Sequence, residues 1–539
     1  MIDNHTGQQR TILYSCELFE IASISWSNLS PLNYHSHGWS HCQILIQEGE
    51  FENALDFGFK KETQSYKAGD CFSTPIGAMH TINCLTSTGK TLHVYSPKLA
   101  IERPNLQFSS ANFKDNNNFK AQIALSSSTT LSELQNLFQV IQRQSVSTYS
   151  PYFMNQLFSG VSAQMLMAEE LAVRTKSTLA TYEASPLFTT IENEVISSLV
   201  ALIGWKEGQG IGVPGGSAAN FMAIHCARQR MFPQAKLEGC DGRKLVVFVS
   251  QDAHYSFKKA CAALGIGTNQ VISVKADEQG KMIPKELEIS IKTKISEGKI
   301  PLLVAATAGT TVTGAFDSIV EIYKICRGHQ LWLHIDGAWG GPAMFSDKLK
   351  HLVSGMELSD SFTFDAHKLI GANLTSSFFL TKHQNILVEA NDVSGGEYLF
   401  HFDDLSQDLG KKSWQCGRKA DALSFWAIWK SLGTQGIGLF IDRLLDLKNE
   451  ILAWIATQPR LELVANPEYL NICVRIHPAD NLKNPDWSKV VREKLIHKNL
   501  AFVNYSSDSQ GSFLRLILAN PFLEFTQVRE ILEWALQEN

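Results

Sequence analysis

The middle of the chain alternates helical patterns with short, continuous apolar runs. The runs cover residues 244–250, 301–307, 331–336 and 361–365. Continuous apolar runs separated by helices are typical of buried parallel strands, whereas strands with one face in solvent alternate apolar and polar residues. The pattern therefore predicts an α/β layer architecture with a largely parallel sheet.

The first hundred residues follow a different pattern. Short apolar runs alternate with turn residues over 10–98, which is typical of a small all-β barrel or sandwich. A polar stretch follows, and then a predicted helix over 131–140, with Thr130 or Ser132 as the residue that caps its start. We expect an all-β domain over 1–105, a linker over 106–128, a large domain over 129–430 that begins with a helical segment, and a smaller α+β subdomain over 431–539.

Composition and charge exclude several classes of protein. The 539 residues are 44% apolar and 19% charged, with a net charge of −5, so no basic surface for nucleic acid or an anionic membrane is expected. No apolar run reaches eighteen residues, and the N-terminus lacks the pattern of a signal peptide. The ten cysteines show no CxxC or repeated spacing, so we expect no disulfide framework or structural zinc site. We expect a cytoplasmic protein.

Chemically useful residues follow the predicted parallel strands. His254 comes after the first strand, Thr307 and Asp336 end the next two, and His367 and Lys368 follow the fourth. Ligands of open α/β sheets collect at the carboxyl ends of the strands. A lysine that can form a Schiff base and an acid that can pair with a pyridinium nitrogen suit pyridoxal 5'-phosphate (PLP).

A glycine-rich turn adds a candidate phosphate site. Gly215-Gly-Ser217-Ala218 precedes a predicted helix over 221–230. Backbone N–H groups at a helix N-terminus bind phosphate well. The combination, in this order along the chain, predicts a PLP site.

Residues 125–539 resemble the group II PLP-dependent amino-acid decarboxylases, a family that includes glutamate, aspartate, aromatic amino-acid and cysteine sulfinate decarboxylases. The matching stretches are 152–160, 214–220, 306–311, 334–341, 365–368 and 414–418. The resemblance implies a type I PLP-dependent transferase fold and a homodimer with a small-molecule amino-acid substrate.

The resemblance also implies roles for the residues that would hold the cofactor. Lys368 would hold PLP covalently, Asp336 would pair with the ring nitrogen, and His254 would stack on the ring. The remaining cofactor contacts would be Thr307 near the ring hydroxyl, Ser217, Ala218 and His367 at the phosphate, and Ala338. Asp365 departs from the pattern, because relatives commonly carry Asn there.

Four further residues would act on the substrate. Arg418 matches the arginine that receives the α-carboxylate, and Gln156 matches a glutamine near the distal group. Tyr398 matches the loop tyrosine that returns a proton to the substrate carbon after CO₂ leaves. Phe158 stands where glutamate decarboxylases carry a small polar residue. A bulky ring there would shorten the pocket, which favours cysteine sulfinate or aspartate over glutamate.

The first domain carries three histidines with possible metal-binding spacing. His35 and His37, two residues apart on a strand, would point to the same face, and His80 would come from a neighbouring strand. A face of neutral imidazole nitrogens with open positions suits Fe(II).

The surroundings of these histidines resemble the two cupin motifs of cysteine dioxygenase. The matching stretches are 35–42, Gly49, 69–80 and 92–97, and the match covers about ninety residues, roughly half of a free-standing enzyme of that kind. By resemblance, His35, His37 and His80 bind iron, Cys42 and Tyr95 form a thioether, His93 orients Tyr95, and Arg10 binds the cysteine carboxylate.

The two resemblances share one metabolite. Cysteine dioxygenase makes cysteine sulfinate, and one branch of the decarboxylase family converts it to hypotaurine, in taurine biosynthesis. We therefore expect a bifunctional enzyme with Fe(II), O₂ and PLP. The alternative is an aspartate, glutamate or 2,4-diaminobutyrate decarboxylase whose cupin is inert, structural or ligand-sensing. A third possibility is that the cupin oxidises another thiol, such as 3-mercaptopropionate.

Overall fold

A computed structural model gives the fold of most of the chain. It describes all residues except 1, 4–7, 16–19, 27–34, 37–40, 57–60, 75–78, 97–122, 126–127, 241, 243, 394, 397, 401–406, 479–483 and 539. The chain divides into two compact units. The first contains Met1–Phe153, Gly160–Ala163 and Glu493–Phe502, and the second contains Met154–Ser159, Gln164–Arg492 and Val503–Asn539.

The first unit is built mainly from antiparallel strands. They are β1 (Ile2–Asp3), β2 (Gln8–Ser15), β3 (Glu20–Trp26), β4 (His35–Ser36), β5 (His41–Glu48), β6 (Glu50–Asp56), β7 (Lys61–Lys67), β8 (Cys71–Thr74), β9 (Met79–Cys84) and β10 (Gly89–Ser96). One sheet has the order β1-β2-β3-β10-β5-β8, and the other has the order β4-β9-β6-β7. The all-β expectation for this region agrees with these two sheets.

Both sheets contribute side chains to one apolar core. Ile24 and Ile44 come from the first sheet, and Phe51 and Ile82 come from the second. The indole ring of Trp26 meets the ring of Phe51 edge to face, with centroids 5.4 Å apart.

Helix α1 (Leu131–Gln144) follows in the first unit. Thr130 caps it: the backbone N–H of Glu133 donates to the Thr130 hydroxyl, and the Glu133 carboxylate accepts from the Thr130 backbone. This reciprocal capping box satisfies two N–H groups that the helix leaves unpaired. Thr130 was one of the two predicted caps.

The second unit centres on a seven-stranded sheet. The strands that follow α1 are β11 (Phe153–Met154), β12 (Gln209–Pro214), β13 (Leu245–Ser250), β14 (Val271–Val274), β15 (Ile300–Thr307), β16 (Trp332–Gly337), β17 (Ser361–Asp365), β18 (Ser376–Thr381), β19 (Leu461–Leu463), β20 (Asn471–Ile476), β21 (Phe502–Asp508) and β22 (Gly511–Ile517). The large sheet has the order β12-β18-β17-β16-β15-β13-β14. Only β18 runs against its neighbours, so the largely parallel prediction is confirmed.

The helices after α1 precede, separate or follow the strands of this sheet along the chain. They are α2 (Ala163–Thr175), α3 (Pro186–Ile203), α4 (Gly216–Met231), α5 (Ala235–Glu238), α6 (Ser256–Ala263), α7 (Pro284–Ser296), α8 (Ile319–Gly328), α9 (Ile386–Asn391), α10 (Ala422–Ile455), α11 (Trp487–His497) and α12 (Phe525–Gln537). Short 3₁₀ turns occupy Thr268–Gln270, Gly341–Phe345, Lys350–Val353, Met356–Leu358 and Leu409–Lys412. Strands β13, β16, β17 and β18 are buried along their whole length, so neither face of the sheet meets solvent there and their polar residues are buried too.

The C-terminal part combines a long helix with a second sheet. Helix α10 is broken at Gly433, whose φ of 68° lies in the left-handed region that favours glycine. The sheet has the order β11-β21-β22-β20-β19. The α+β character predicted for this region agrees with these elements, and the predicted boundaries at 105, 128 and 430 stay predictions.

Helix α3 has the length and composition of a membrane-spanning helix. Its 18 residues have a mean hydropathy of 1.3. Polar residues interrupt it, so it is not one continuous apolar run. A buried core helix passes the same criterion. Seven of its residues, Thr189, Glu192, Val195, Ile196, Leu199, Val200 and Ile203, are buried inside the second unit.

Candidate active site

Strands β15 and β16 bring two predicted site residues side by side. Thr307 lies directly opposite Asp336 in the parallel register, and the Ala308 N–H donates to the Asp336 carbonyl over 2.9 Å. Both side chains are buried. The carboxyl ends of these strands therefore place an acid and a hydroxyl at one edge of the sheet, as the sequence predicted.

The Asp336 carboxylate is held by a residue from the first turns of helix α4. Asn220 Nδ2 donates to Asp336 Oδ2 over 2.7 Å and also lies 2.9 Å from the Ser256 hydroxyl. The Ala338 N–H donates to the other carboxylate oxygen over 3.2 Å. Because a carboxylate only accepts, the amide nitrogen of Asn220 must face Asp336 and its Oδ1 must face away.

The carbonyl oxygen of Asn220 ends a chain of buried hydrogen bonds. It lies 3.0 Å from His334 Nε2, whose other ring nitrogen lies 2.8 Å from the Ser361 hydroxyl, and that hydroxyl accepts from Trp332 Nε1 over 2.8 Å. Burial lowers the pKa of His334 to about 3, so this histidine is neutral with its proton on Nε2. Each proton in the chain therefore points towards Asp336, from Trp332 through Ser361, His334 and Asn220.

Lys368 forms an ion pair with the acid three residues before it. Its Nζ lies 3.0 Å from Asp365 Oδ2, and Asp365 is 1% exposed. The other carboxylate oxygen, Oδ1, is buried without a hydrogen bond. A buried acid with an unused oxygen is unusual and marks a polar site rather than a packed core.

The turn before α4 brings backbone against this acid. A Cβ on Gly216 would lie 2.6 Å from Asp365 Oδ2 and 3.2 Å from the Ala338 Cβ. Any residue larger than glycine at this position would require the Asp365 side chain to move. Gly215, with φ of 95°, precedes the helix, and Ser217 and Ala218 lie in its first turn. The Ala218 N–H donates to the Gly215 carbonyl over 2.9 Å, so the N–H groups nearer the helix start are the ones that lack partners within the helix.

His254 lies close enough to Asp336, Lys368 and Asp365 for their charges to affect its pKa. Burial lowers its pKa, which is also affected by Asp336, Lys368 and Asp365. The Ser256 N–H donates to His254 Nδ1 over 3.3 Å, so the neutral ring carries its proton on Nε2. The predicted His254 therefore belongs to this cluster as a neutral ring.

His367 is anchored by the start of β18. Its Nδ1 lies 3.1 Å from the Ser376 carbonyl and 3.1 Å from the Ser377 hydroxyl, and its Nε2 lies 3.9 Å from Asp365. Because a carbonyl only accepts, Nδ1 carries the proton. Burial lowers the pKa of His367.

Arg418 is buried with an acidic partner that the sequence did not predict. Its Nη2 lies 2.5 Å from Glu192 Oε1 and 3.0 Å from the Gly212 carbonyl, and both side chains are almost fully buried. The same Glu192 oxygen accepts from the Gly212 N–H over 2.9 Å. The arginine expected to receive a substrate carboxylate is thus already neutralised within the second unit.

The other predicted substrate residues lie on less buried segments. Gln156 is exposed, Phe158 is half-buried and Tyr398 is 74% exposed. Tyr398 stands between Glu397 and the stretch 401–406, which lie outside the described residues. These three roles stay predictions.

In the first unit, backbone register brings the predicted iron-site positions together. His35 of β4 lies opposite His80 of β9. Cys42 of β5 lies opposite Tyr95 of β10. His37 lies outside the described residues, as do the side chains of His35, His80, Tyr95 and Arg10. No metal-binding group of three His, Cys, Asp or Glu side chains occurs among the residues that are described.

A buried chain of polar side chains leads to Cys42. Trp26 Nε1 donates to the Thr91 hydroxyl over 3.0 Å, and that hydroxyl lies 2.8 Å from His93 Nε2. Because an indole only donates, the Thr91 oxygen accepts from Trp26. The other ring nitrogen of His93, Nδ1, lies 3.7 Å from Cys42 Sγ.

The residues of the second unit fit PLP. Thr307 Oγ1 is buried without a partner, as is Asp365 Oδ1, so the site contains polar atoms that a ligand can engage. The first turn of α4 offers N–H groups for a phosphate, Asp336 offers an acid for a ring nitrogen, and Lys368 offers an amine. The fold and this site define a PLP-dependent enzyme.

The chain belongs to the pyridoxal-dependent decarboxylases. Residues 114–477 match the model of the pyridoxal-dependent decarboxylase conserved domain. The chain is 38% identical to the cysteine sulfinic acid decarboxylase of Rattus norvegicus over 394 residues, which is 70% of this chain and 80% of the relative. It is 37% identical to the acidic amino acid decarboxylase GADL1 of Bos taurus over 415 residues, which is 74% of this chain and 79% of the relative.

The fold agrees with that of a solved relative. The crystal structure of apo mouse CSAD superposes with a TM-score of 0.75 at 34% identity, covering 80% of this chain and 93% of that structure. The protein is therefore a PLP-dependent amino-acid decarboxylase.

Sequence reasoning missed the residues that support the site from behind. Asn220, Ser361 and Glu192 received no role, although Asn220 interrupts an otherwise apolar stretch of its helix. A buried polar residue in an apolar helix or strand needs a partner, and that is the signal that could have identified them.

Proposed function

We propose that this chain converts L-cysteine to hypotaurine in two steps. The first unit would oxidise cysteine to cysteine sulfinate, and the second would decarboxylate that acid. The observation that carries the proposal is that both units would act on one compound, cysteine sulfinate, as product of the first and substrate of the second. Relatives of the second unit include proteins named cysteine sulfinic acid decarboxylase, and the first unit resembles an enzyme that makes this acid.

In the second unit, bound PLP supplies an electron sink for the carbon that loses CO₂. Lys368 provides the amine that holds it. Asp336, held by Asn220 and Ala338, provides a fixed negative charge for the ring nitrogen. The chain of donors ending on Asn220 fixes the orientation of its amide, so that the N–H and not the carbonyl oxygen faces the Asp336 carboxylate.

Two further residues would handle the substrate's carboxylate and proton. Arg418 would attract the α-carboxylate, and its pairing with Glu192 fixes the guanidinium while reducing the net charge that the substrate meets. The Tyr398 hydroxyl would donate its proton to the carbon from which CO₂ has left, which completes the amine product. An exposed loop tyrosine can move towards the substrate when the site closes.

The distal end of the substrate would meet the segment that carries Gln156 and Phe158. Phe158 supports a short acid, because a half-buried ring near Gln156 would leave less space for the extra methylene of glutamate. The relatives named acidic amino acid decarboxylase GADL1, at 37% identity, favour aspartate as a second candidate substrate.

In the first unit, His35, His37 and His80 would hold Fe(II), which when bound supplies the redox chemistry that activates O₂. Both oxygen atoms of O₂ would add to the cysteine sulfur, which is oxidised from thiol to sulfinate while O₂ is reduced. The register that sets His35 opposite His80 and Cys42 opposite Tyr95 supports this proposal. Arg10 would bind the cysteine carboxylate, and His93 would orient Tyr95. Cys42 and Tyr95 would form a thioether, in which a bond from sulfur to a ring carbon replaces the S–H and ring C–H bonds and O₂ takes up the two electrons and two protons.

The decisive experiment supplies the iron- and PLP-loaded protein with cysteine in air and measures hypotaurine by mass spectrometry. Lys368→Ala should accumulate cysteine sulfinate, and His80→Ala should decarboxylate added cysteine sulfinate but consume no O₂ with cysteine. Release of CO₂ from aspartate with none from cysteine sulfinate would overturn the substrate assignment. A wild-type protein that binds no iron and consumes no O₂ would reduce the first unit to a structural or ligand-sensing module.

We also propose that the protein is a cytoplasmic homodimer, as the resemblance to the family implies. Light scattering of the purified holoenzyme at several concentrations tests the dimer, and fractionation of the producing cells tests the location. A monomer that is fully active would contradict the first part.

A further inference from the structure

Asn391 links the two ends of the stretch that carries Tyr398. It is the last residue of α9, and its Nδ2 donates to the Leu387 carbonyl over 2.8 Å and to the Lys412 carbonyl over 3.2 Å. Leu387 belongs to the same helix, whereas Lys412 lies 21 residues further along the chain, beyond Tyr398. The stretch 392–411 therefore begins and ends at one side chain.

The amide of Asn391 is placed to act as a donor. Because both of its partners are carbonyls, Nδ2 and not Oδ1 must face them. Oδ1 is then left buried without a hydrogen bond. A buried acceptor without a partner costs about 1–3 kcal/mol, a cost that an apolar side chain of similar size would avoid. The two donor contacts therefore need an explanation beyond packing.

Helices beside the candidate active site hold the end of α9. His225 of α4 donates from Nε2 to the Ala390 carbonyl over 3.1 Å, and Lys236 of α5 donates to the Glu389 carbonyl over 3.0 Å. Helix α4 also supplies the amide that donates to the Asp336 carboxylate. The end of α9 therefore has a fixed position relative to Asp336.

The far end of the stretch packs against the ring of Phe400, two residues after Tyr398. Lys412 ends a short 3₁₀ turn, and a Cβ on Gly410 in that turn would lie only 3.0 Å from the Phe400 ring. Lys411 Nζ lies 5.3 Å from the centroid of the same ring, within the range of a cation–π contact. The position of Phe400, and with it the backbone at Tyr398, therefore depends on where this turn lies.

We propose that Asn391 is a positioning residue for Tyr398. By holding the Lys412 carbonyl against the end of α9, it fixes the turn on which Phe400 packs, and so the place from which the Tyr398 hydroxyl reaches the substrate carbon. This inference rests on the proposed role of Tyr398 as proton donor. A general acid works only within hydrogen-bond reach of its target, so a small displacement of its backbone slows the proton transfer.

The test measures amine formation by Asn391→Ala in the PLP-loaded full chain, with cysteine sulfinate or aspartate, whichever the wild type decarboxylates. We expect kcat to fall about tenfold, because the acid is misplaced, and KM to change less than about twofold, because substrate binding does not use Tyr398. Gln209→Ala is the matched control: Gln209 is similarly buried, and its amide donates to the His383 carbonyl over 2.7 Å from the edge strand β12. This control should leave kcat unchanged.

A double variant separates positioning from general support of the fold. In the Tyr398→Phe background the hydroxyl that Asn391 positions is absent, so adding Asn391→Ala should lower kcat by no more than about twofold further. A structural effect would lower kcat by the same factor in both backgrounds.

Trypsin gives a readout that does not depend on activity. The chain can be cut after Lys411 and Lys412, and cleavage there should be about tenfold faster in Asn391→Ala and not in Gln209→Ala, because the turn loses its contact with α9. Asn391→Asp keeps the size of the side chain but replaces the donor by an acceptor, so it should match Asn391→Ala. If neither variant folds, Phe400→Leu weakens the same connection from the other end and should lower kcat only where the Tyr398 hydroxyl is present.

The outcomes separate this inference from the function beneath it. A wild-type protein that decarboxylates neither acid refutes the proposed function, and an unchanged rate in Tyr398→Phe refutes the proposed proton donor. A slow Tyr398→Phe together with an unchanged kcat in Asn391→Ala and Asn391→Asp refutes the positioning role. Equal factors in the two backgrounds, or faster cleavage with an unchanged kcat, refute it as well, because Asn391 would then be purely structural.

Discussion

The Ser361 hydroxyl donates a hydrogen bond to Nδ1 of His334 over 2.8 Å, and both side chains are fully buried. This direction is fixed because His334 uses its own proton on Asn220, while the Ser361 oxygen accepts from Trp332. The hydrogen bonds behind Asp336 therefore all run in one direction, because each of these groups has its donor and acceptor roles fixed by its neighbours.

Replacing Ser361 by alanine should therefore be costly although no ligand touches it. It leaves the Trp332 N–H and the unprotonated nitrogen of His334 without partners, so the free energy of unfolding should fall by about 1–3 kcal/mol in urea titration. Ser376→Ala is the control, because the Ser376 hydroxyl is buried without a hydrogen bond and its loss should cost little. Equal losses in the two variants would contradict the directional chain.

We expect the Arg418–Glu192 ion pair to stabilise the folded protein even when no substrate is bound. Arg418→Met leaves the Glu192 carboxylate buried and unpaired, which should lower the free energy of unfolding of the cofactor-free protein by about 3 kcal/mol. Adding Glu192→Gln should restore much of that loss, because the amide oxygen can still accept from the Gly212 N–H. If the double variant is no more stable than Arg418→Met, the two side chains are not energetically coupled.

His225 predicts a loss of stability in acid. Burial, together with the Arg228 charge, lowers its pKa to about 4, whereas an unfolded histidine titrates near 6.5. Between these values the unfolded chain binds more protons, so stability falls as pH decreases from about 6.5 towards 4 and is unaffected above that range. The contribution lost between pH 7 and pH 5 is about 2 kcal/mol.

His225→Gln should reduce this acid sensitivity, measured as the difference between urea unfolding free energies at pH 7 and pH 5. His497→Gln, at an exposed position, serves as the control. A difference that is the same in wild type and His225→Gln would show that His225 is not neutral in the folded protein.

We expect the Thr91 hydroxyl to limit how readily a reagent reaches the Cys42 thiol. Thr91→Val removes the acceptor of the Trp26 indole N–H and the hydroxyl that lies 2.8 Å from His93 Nε2, a local cost of about 1–3 kcal/mol. In protein produced without iron, in which the Cys42–Tyr95 thioether has not formed, the buried Cys42 thiol should then react with an alkylating reagent about tenfold faster, measured by mass spectrometry of its peptide. Thr91→Ser keeps the hydroxyl and should match the wild type; if it labels as fast as Thr91→Val, the methyl group and not the hydrogen bond protects the thiol.

Tyr398→Phe tests the proposed proton donor. The change removes one hydroxyl from a 74% exposed residue, so folding and PLP absorbance should be unaffected. Amine formation should fall about 10²-fold, because a positioned general acid typically contributes that much. Tyr255→Phe is a matched control at another exposed tyrosine. An unchanged rate in Tyr398→Phe would assign proton return to another group.

Apolar continuity made the strands of the large sheet predictable. The run over 361–365 coincides with β17, and the other three runs match their strands to within one residue at each end, because buried parallel strands expose neither face. The strand-end chemistry followed from the same periodicity, since the ends of parallel strands meet at one edge.

Long-range polar pairing was not predictable in the same way. Asn220 meets Asp336 across 116 positions of sequence, and Arg515 meets Asn155 across 360. Nothing in local periodicity specifies such a partner, because hydrogen bonds between distant segments depend on how layers pack. The roles of Gln156 and Phe158 in the distal pocket remain predictions from the resemblance.

The close approach of Gly216 to Asp365 limits how this sequence can diverge. With no room for a Cβ beside the buried carboxylate, an alanine at 216 is tolerated only after position 365 changes its side chain or its rotamer. The two positions, one opening a helix and the other ending a strand, should therefore change together among homologues. A descendant that loses the acid gains the freedom to lose the glycine, whereas the reverse order forces the retained acid into another rotamer.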